Sequence, residues 1–117
     1  MYSIEVLKRF RHPKYEGEIR DADTKLRVGN GICNDRLEIF IKMKDGKIKQ
    51  ARYLTYGCPA AVSSAELVCE KAEGKTIKQA LKTSMTQIRK DLHLPEFKHH
   101  CCEMAVNALR GALKKLK

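Results

Sequence analysis

Residues 36–56 read RLEIFIKMKDGKIKQARYLTY, and the fold turns on this stretch. Leu37, Ile39, Ile41 and Met43 alternate with mostly polar neighbours over residues 36–44, the two-residue period of a half-buried strand. Asp45-Gly46 then marks a hairpin turn, and a second strand is predicted from about 47 to 56. A Lys44-Asp45-Gly46 loop with a bulge pairs Met43 with Lys47, Ile39 with Ala51 and Leu37 with Tyr53. That register gathers the apolar side chains on one face and puts Cys33 opposite Gly57. A two-residue Asp45-Gly46 turn instead puts Cys33 opposite Cys58, with poorer matching of apolar faces. Either loop brings both thiols to the same end of the hairpin.

Working outward, residues 2–11 suit a short helix ending before His12-Pro13, and residues 12–24 are polar and indicate no element. Helices dominate after the hairpin. One is expected from Pro59 to about Glu73, with Pro at its first position and Gly74 as its stop. Thr76 can cap a short turn through Leu81. Another helix spans roughly residues 84–93, with Met85, Ile88 and Leu92 on one face. Residues 94–97 break the pattern, and a last helix runs from near His100 to Leu116, burying Ala105, Ala108, Leu109 and Ala112. The expected class is α+β: a small antiparallel sheet of about three strands, covered by helices, with a helical C-terminal half.

A chain of 117 residues with no repeat, linker or low-complexity segment is expected to form one domain, residues 1–117. It has no Trp and seven aromatic residues. No apolar run approaches the roughly 18 residues of a membrane span. MYSIEVLKRF at the start lacks the pattern of a secretory signal, so the expectation is a cytoplasmic or equivalent reducing location, with no membrane partner. There the five cysteines are not a disulfide framework. Cys69 borders the helical stripe of Ala61, Ala65, Val68 and Ala72 and reads as core filler. The formal charge of +10 is spread along the chain without a helix–turn–helix, zinc-finger or aromatic RNA-binding signature. A solvated basic surface favouring acidic partners is the better reading, and nucleic acid is a minor one.

Three cysteines have neighbours that suit metal chemistry: Cys33 two before Asp35, Cys58 between Gly57 and Pro59, and Cys101 after His100. Thiolate-rich sites hold zinc, iron or iron–sulfur clusters, because soft sulfur suits these metals better than calcium or magnesium. Asp35 shares a strand face with Cys33 if the strand reaches that far, though a strand-end carboxylate can equally be solvated. Cys58 would cap the helix at Pro59 and Cys101 would sit in the first turn of the last helix. The amides and dipole there favour thiolate over thiol. His100 is a possible imidazole ligand or a surface residue, and His99 reads as surface. No C-x-x-C pair points to a zinc ribbon.

Together these motifs resemble the U-type iron–sulfur cluster scaffold family, IscU and the N-terminal domain of NifU. The resemblance covers nearly the whole chain. It starts at Tyr2-Ser3, Val6, Pro13 and Gly17, and Cys33-Asn34-Asp35 is similar to the family's Cys-Gly-Asp. It continues through Ala51-Arg52, Thr55-Tyr56-Gly57-Cys58, Gly74-Lys75-Thr76 and Lys98-His99-His100-Cys101. The resemblance implies a cluster site of Cys33, Asp35, Cys58, His100 and Cys101, with Asp35 linked to cluster lability and Lys98 supporting the site. It implies a non-enzymatic carrier that combines iron with sulfur from a cysteine desulfurase, holds a transient [2Fe–2S] cluster and passes it to apo acceptor proteins. Zinc can take the same ligands, and self-association on cluster binding is a further expectation. Leu94, Pro95 and Lys98 are what this chain keeps of the Leu-Pro-Pro-Val-Lys segment read by an Hsp70-type chaperone. Cys102 stands where many relatives have Ser and reads as buried in preference to a spare sulfur acceptor. The competing readings are a zinc-binding structural or regulatory domain and a basic nucleic-acid-binding module.

Overall fold

The computed structural model describes residues 2–30 and 35–116, with the backbone alone for Asn30 and Asp35. Its elements in chain order are helix α1 (Ile4–Arg11), strands β1 (Thr24–Asn30), β2 (Asp35–Lys44) and β3 (Lys47–Tyr56), and helices α2 (Pro59–Ala72), α3 (Ile77–Ala80), α4 (Met85–Leu92) and α5 (His99–Lys114). A 3-10 turn, Glu96–Lys98, leads into α5. The strands form one antiparallel sheet in the order β1-β2-β3. The α+β class and the helical second half are as the sequence indicates.

Local chemistry fixes the helix ends. Ser3 and Ser84 accept from the backbone amides of Val6 and Gln87, and Thr76 forms a reciprocal capping box with Gln79. Gly74, at φ 86°, and His93, at φ 51°, supply the left-handed residues that follow α2 and end α4. Leu37, Ile39 and Ile41 of β2 and Ala51 and Tyr53 of β3 face a core closed by α2 and α5. The expected Ala105, Ala108, Leu109 and Ala112 of α5 are all buried there. Helix α2 is enclosed almost all round, and even Ser63, Ser64 and Glu66 are buried.

The sheet has the three strands expected, but the sequence pattern marks no position for one of them and the register needs correction. Strand β1 falls where the sequence offered no element, and pairs Leu26 with Ile39 and Val28 with Leu37. The hairpin register also differs from both alternatives. The turn is the two-residue one, with Asp45 at φ 54° and Gly46 at φ 79°, the doubly positive pattern of a primed turn. Lys44 therefore pairs with Lys47 and Met43 with Ile48. A bulge then absorbs Lys49, so that Ile41 faces Ala51, Ile39 faces Tyr53 and Leu37 faces Thr55. This lies two residues from the favoured pairing, and a shift of two leaves every side chain on its own face. The apolar pattern could not distinguish the two.

The free edge of β3 is covered by the segment before β1. Gly17 N donates to Tyr53 O at 2.8 Å and Tyr53 N to Tyr15 O at 3.1 Å. Buried Glu66 of α2 anchors that segment, accepting from the Lys14 and Tyr15 amides at 2.9 Å each and from the Tyr53 hydroxyl at 2.8 Å. A buried carboxylate is tolerated because three donors satisfy it.

Candidate metal centre

The pairing of Arg36 with Tyr56 brings the start of β2 alongside the end of β3. Asp35 opens β2 on one side, and Gly57-Cys58 leaves β3 on the other. The chain turns at Cys58 directly into α2, with Cys58 in extended conformation as the N-cap and Pro59 at the first helical position. The start of α5 arrives at the same place. Cys58 Sγ lies 3.8 Å from Cys101 Sγ, although 43 residues separate them. Neither is in a disulfide. The spacing is far beyond a disulfide's ~2.05 Å. Two sulfurs bound to one tetrahedral metal at about 2.3 Å each would lie about 3.8 Å apart. The thiol pair is thus already set at the bite of a metal.

Cys58 is half-buried and Cys101 buried. Burial pushes the Cys58 thiol up, but the first-turn amides of Ala61 and Ala60, then Cys101 and the Lys98 ammonium, outweigh it and hold the thiol below its ordinary value. Lys98 Nζ donates to Cys58 Sγ at 3.5 Å. Burial alone would lower the Lys98 ammonium, but the charges of Cys58 and Tyr2 raise it.

Tyr2 is the site residue that reasoning from the residues missed. Burial, then the Cys58 charge, raise its phenol, while the Lys98 ammonium opposes them, so the ring stands within electrostatic reach of both groups. It reaches the site because Ser3 Oγ donates to Leu92 O at 2.5 Å, tying the chain start to the end of α4. No local pattern signals this contact; only the family resemblance, which begins at Tyr2-Ser3, marked the position.

The remaining site residues are placed in part. His100 is half-buried, one residue before Cys101. Among the described residues, no three His, Cys, Asp or Glu side chains converge as a ligand set. Cys33 lies outside the described residues, and Asp35 is fixed only by its backbone, paired with Asn30.

The whole chain, residues 1–117, matches the family model for the NifU-like N terminal domain. The chain belongs to that family. Its sequence is 41% identical over 114 residues to the iron–sulfur cluster assembly scaffold protein IscU 1 of Archaeoglobus fulgidus, covering 97% of this chain and 74% of the relative. It is 34% identical over 120 residues to the IscU scaffold protein of Escherichia coli K12, covering 99% and 94%. In fold, this NifU-like domain superposes on the SufU chain FiSufU of Fervidobacterium islandicum AW-1 with a TM-score of 0.85 at 19% identity, covering 96% of each chain.

The other sulfurs of the domain are core residues. Cys69 is fully buried, and burial together with Glu66 and Glu73 raises its thiol. Cys102, also buried, donates to Met85 O at 3.2 Å and is pushed up to about 11 by burial. His99 is not the plain surface residue expected. It is half-buried, with Nδ1 3.1 Å from Arg89 Nη1. Arginine can only donate, so Nδ1 accepts.

Proposed function

We propose that this NifU-like domain is a scaffold on which an iron–sulfur cluster is assembled and then given up to acceptor proteins. The observation that carries the reading is the 3.8 Å approach of Cys58 and Cys101 at the start of two helices, the separation expected of two sulfurs sharing one metal. Cys33, Asp35 and His100 complete the proposed donor set. The cluster is cargo, and three thiolates with one carboxylate and one imidazole form a mixed set from which it can leave. A [2Fe–2S] core fits a set of this size. Lys98 and Tyr2 position Cys58 and hold its charge.

In this reading the domain carries rather than catalyses. A cysteine desulfurase supplies the sulfur, apo iron–sulfur proteins take the product, and an Hsp70-type chaperone is a further partner through residues 94–98. A reducing compartment such as the cytoplasm would keep the thiols out of disulfides. No helix among the described residues is long and apolar enough to cross a membrane.

Anaerobic reconstitution with ferrous iron and sulfide tests the proposal. Wild type is expected to develop visible iron–sulfide charge-transfer absorbance. Cys33→Ala, Cys58→Ala and Cys101→Ala should each lose stable cluster. Full cluster yield in Cys58→Ala would overturn the assignment, and uptake of zinc without any visible absorbance would favour a zinc domain. Asp35→Ala should hold its cluster longer than wild type, because a hard, exchangeable ligand is gone.

A further inference from the structure

The pole of the molecule opposite the thiols has a charge pattern that the fold does not require. Residues 44–49 and 74–82 hold six lysines (Lys44, Lys47, Lys49, Lys75, Lys78 and Lys82) against one carboxylate, Asp45. These fifteen residues carry +5 of the chain's formal +10. All six lysines are exposed. The two segments are joined by backbone bonds, Ile48 N to Lys75 O and Gly74 N to Ile48 O, both 2.8 Å. The hairpin tip and the α2–α3 connection thus form one surface. Strand β3, ten residues at about 3.3 Å each, and α2, fourteen at about 1.5 Å, put it roughly 20–30 Å from Cys58.

Some basic groups elsewhere in the described residues find carboxylates, while others, such as Arg11, Lys25 and Lys90, stand singly rather than six together. Arg9 pairs with Glu5, Arg52 with Glu73, Lys71 with Asp91, and Lys42 with Asp21 and Asp23. Among the described residues none of the six pole lysines makes an ion pair, and Lys49 touches a carboxylate only through its field on Asp21. Lys44 and Lys47 even stand directly opposite each other across the turn. Like charges at that cross-strand position destabilise a hairpin. A local choice that works against the fold points to a use outside it.

We propose that this lysine pole is a docking surface for an acidic protein, held away from the cluster site so that a bound partner leaves the thiols open. The chemistry selects the class of partner. The two segments contain no arginine for bidentate phosphate contacts and no aromatic ring for base stacking, the groups that nucleic-acid surfaces add to bare charge. Ile48 is buried and Ile77 and Leu81 half-buried, which leaves no exposed apolar anchor for a lipid surface. Six flexible ammonium groups match a surface of aspartates and glutamates and speed its encounter.

The test uses the reduced full chain without cluster, so it stands or falls apart from the scaffold assignment. Binding of a fluorescent 20-residue oligoglutamate is followed by anisotropy at low salt. The variant K44Q/K47Q/K75Q/K78Q is expected to lose about tenfold or more in affinity. R11Q/K25Q/K90Q/K114Q removes the same charge from scattered exposed sites and should lose less than about threefold. Equal losses in the two variants would mean that net charge alone binds the peptide, and would overturn the proposal. So would tighter, pole-dependent binding to a 20-base-pair duplex or to phosphatidylserine vesicles. Saturating oligoglutamate should leave the alkylation rate of Cys58 unchanged, and protection of Cys58 would contradict a remote dock. Thermal unfolding of both variants confirms that the fold is retained.

Discussion

Cys58 and Cys69 bracket the same helix, and the difference between them shows what makes a thiol a ligand in this fold. Burial pushes both thiols up. At Cys58 the Ala61 and Ala60 amides at the start of α2, the Cys101 sulfur and the Lys98 ammonium more than reverse that push. At Cys69, in the last turn, the carboxylates of Glu66 and Glu73 add to it and only Arg52 opposes them. Residue type and helix are shared. Position along the helix, and the charge facing it, decide the chemistry.

The strongest way to break this comparison is to alkylate the native protein with iodoacetamide near neutral pH and map the products by mass spectrometry. Cys58 is half-buried with a lowered pKa, whereas Cys69 is fully enclosed with a raised one. Each unit of pKa changes the thiolate fraction up to tenfold, so Cys58 should react at least about 100 times faster. Comparable rates would remove the distinction. The next largest effect belongs to Glu66, which lies between the two cysteines on α2. Glu66→Ala leaves the Lys14 and Tyr15 amides and the Tyr53 hydroxyl without their acceptor. It should destabilise the protein by about 2–4 kcal/mol, against about 1 kcal/mol for Tyr53→Phe. Urea titration checks both, and equal small losses would mean that the carboxylate does not anchor residues 14–17.

The sequence spoke most clearly where a side chain has one local job. Asp45-Gly46, Thr76, Ser84 and Gly74 mark turns and helix ends, and the structure uses each one there. Strand β1 was illegible because TKLRVGN offers only Leu26 and Val28 as alternating apolar residues, both half-buried beside charged neighbours. The register was illegible because the bulge at Lys49 carries no signature in hydrophobicity, and a shift of two residues preserves both faces. At the site, the helix-start positions of Cys58 and Cys101 were legible from their neighbours, but their meeting was implied only by the family resemblance. The contact of Tyr2 with Cys58 depends on how α1 docks against α4, a tertiary fact with no local trace.

Lys98→Met gives the smallest and most specific change, because it removes one of the charges that separate Cys58 from Cys69 while keeping a long apolar stem. The Cys58 thiol lies below its ordinary value, so its thiolate persists as pH falls and disappears only when pH passes through the lowered value. Without the ammonium 3.5 Å away, the thiolate loses a partner and the midpoint of the alkylation profile should move to higher pH. Near neutral pH that appears as a slowing of Cys58 alkylation by roughly three- to tenfold. Lys98→Arg keeps the charge and should recover most of the rate. Cys69 answers to burial, Glu66, Glu73 and Arg52 rather than to Lys98, so its slow reaction should not change. If the midpoint of Lys98→Met stayed where wild type has it, the helix start and Cys101 would suffice to lower Cys58, and Lys98 would be a packing neighbour of the site.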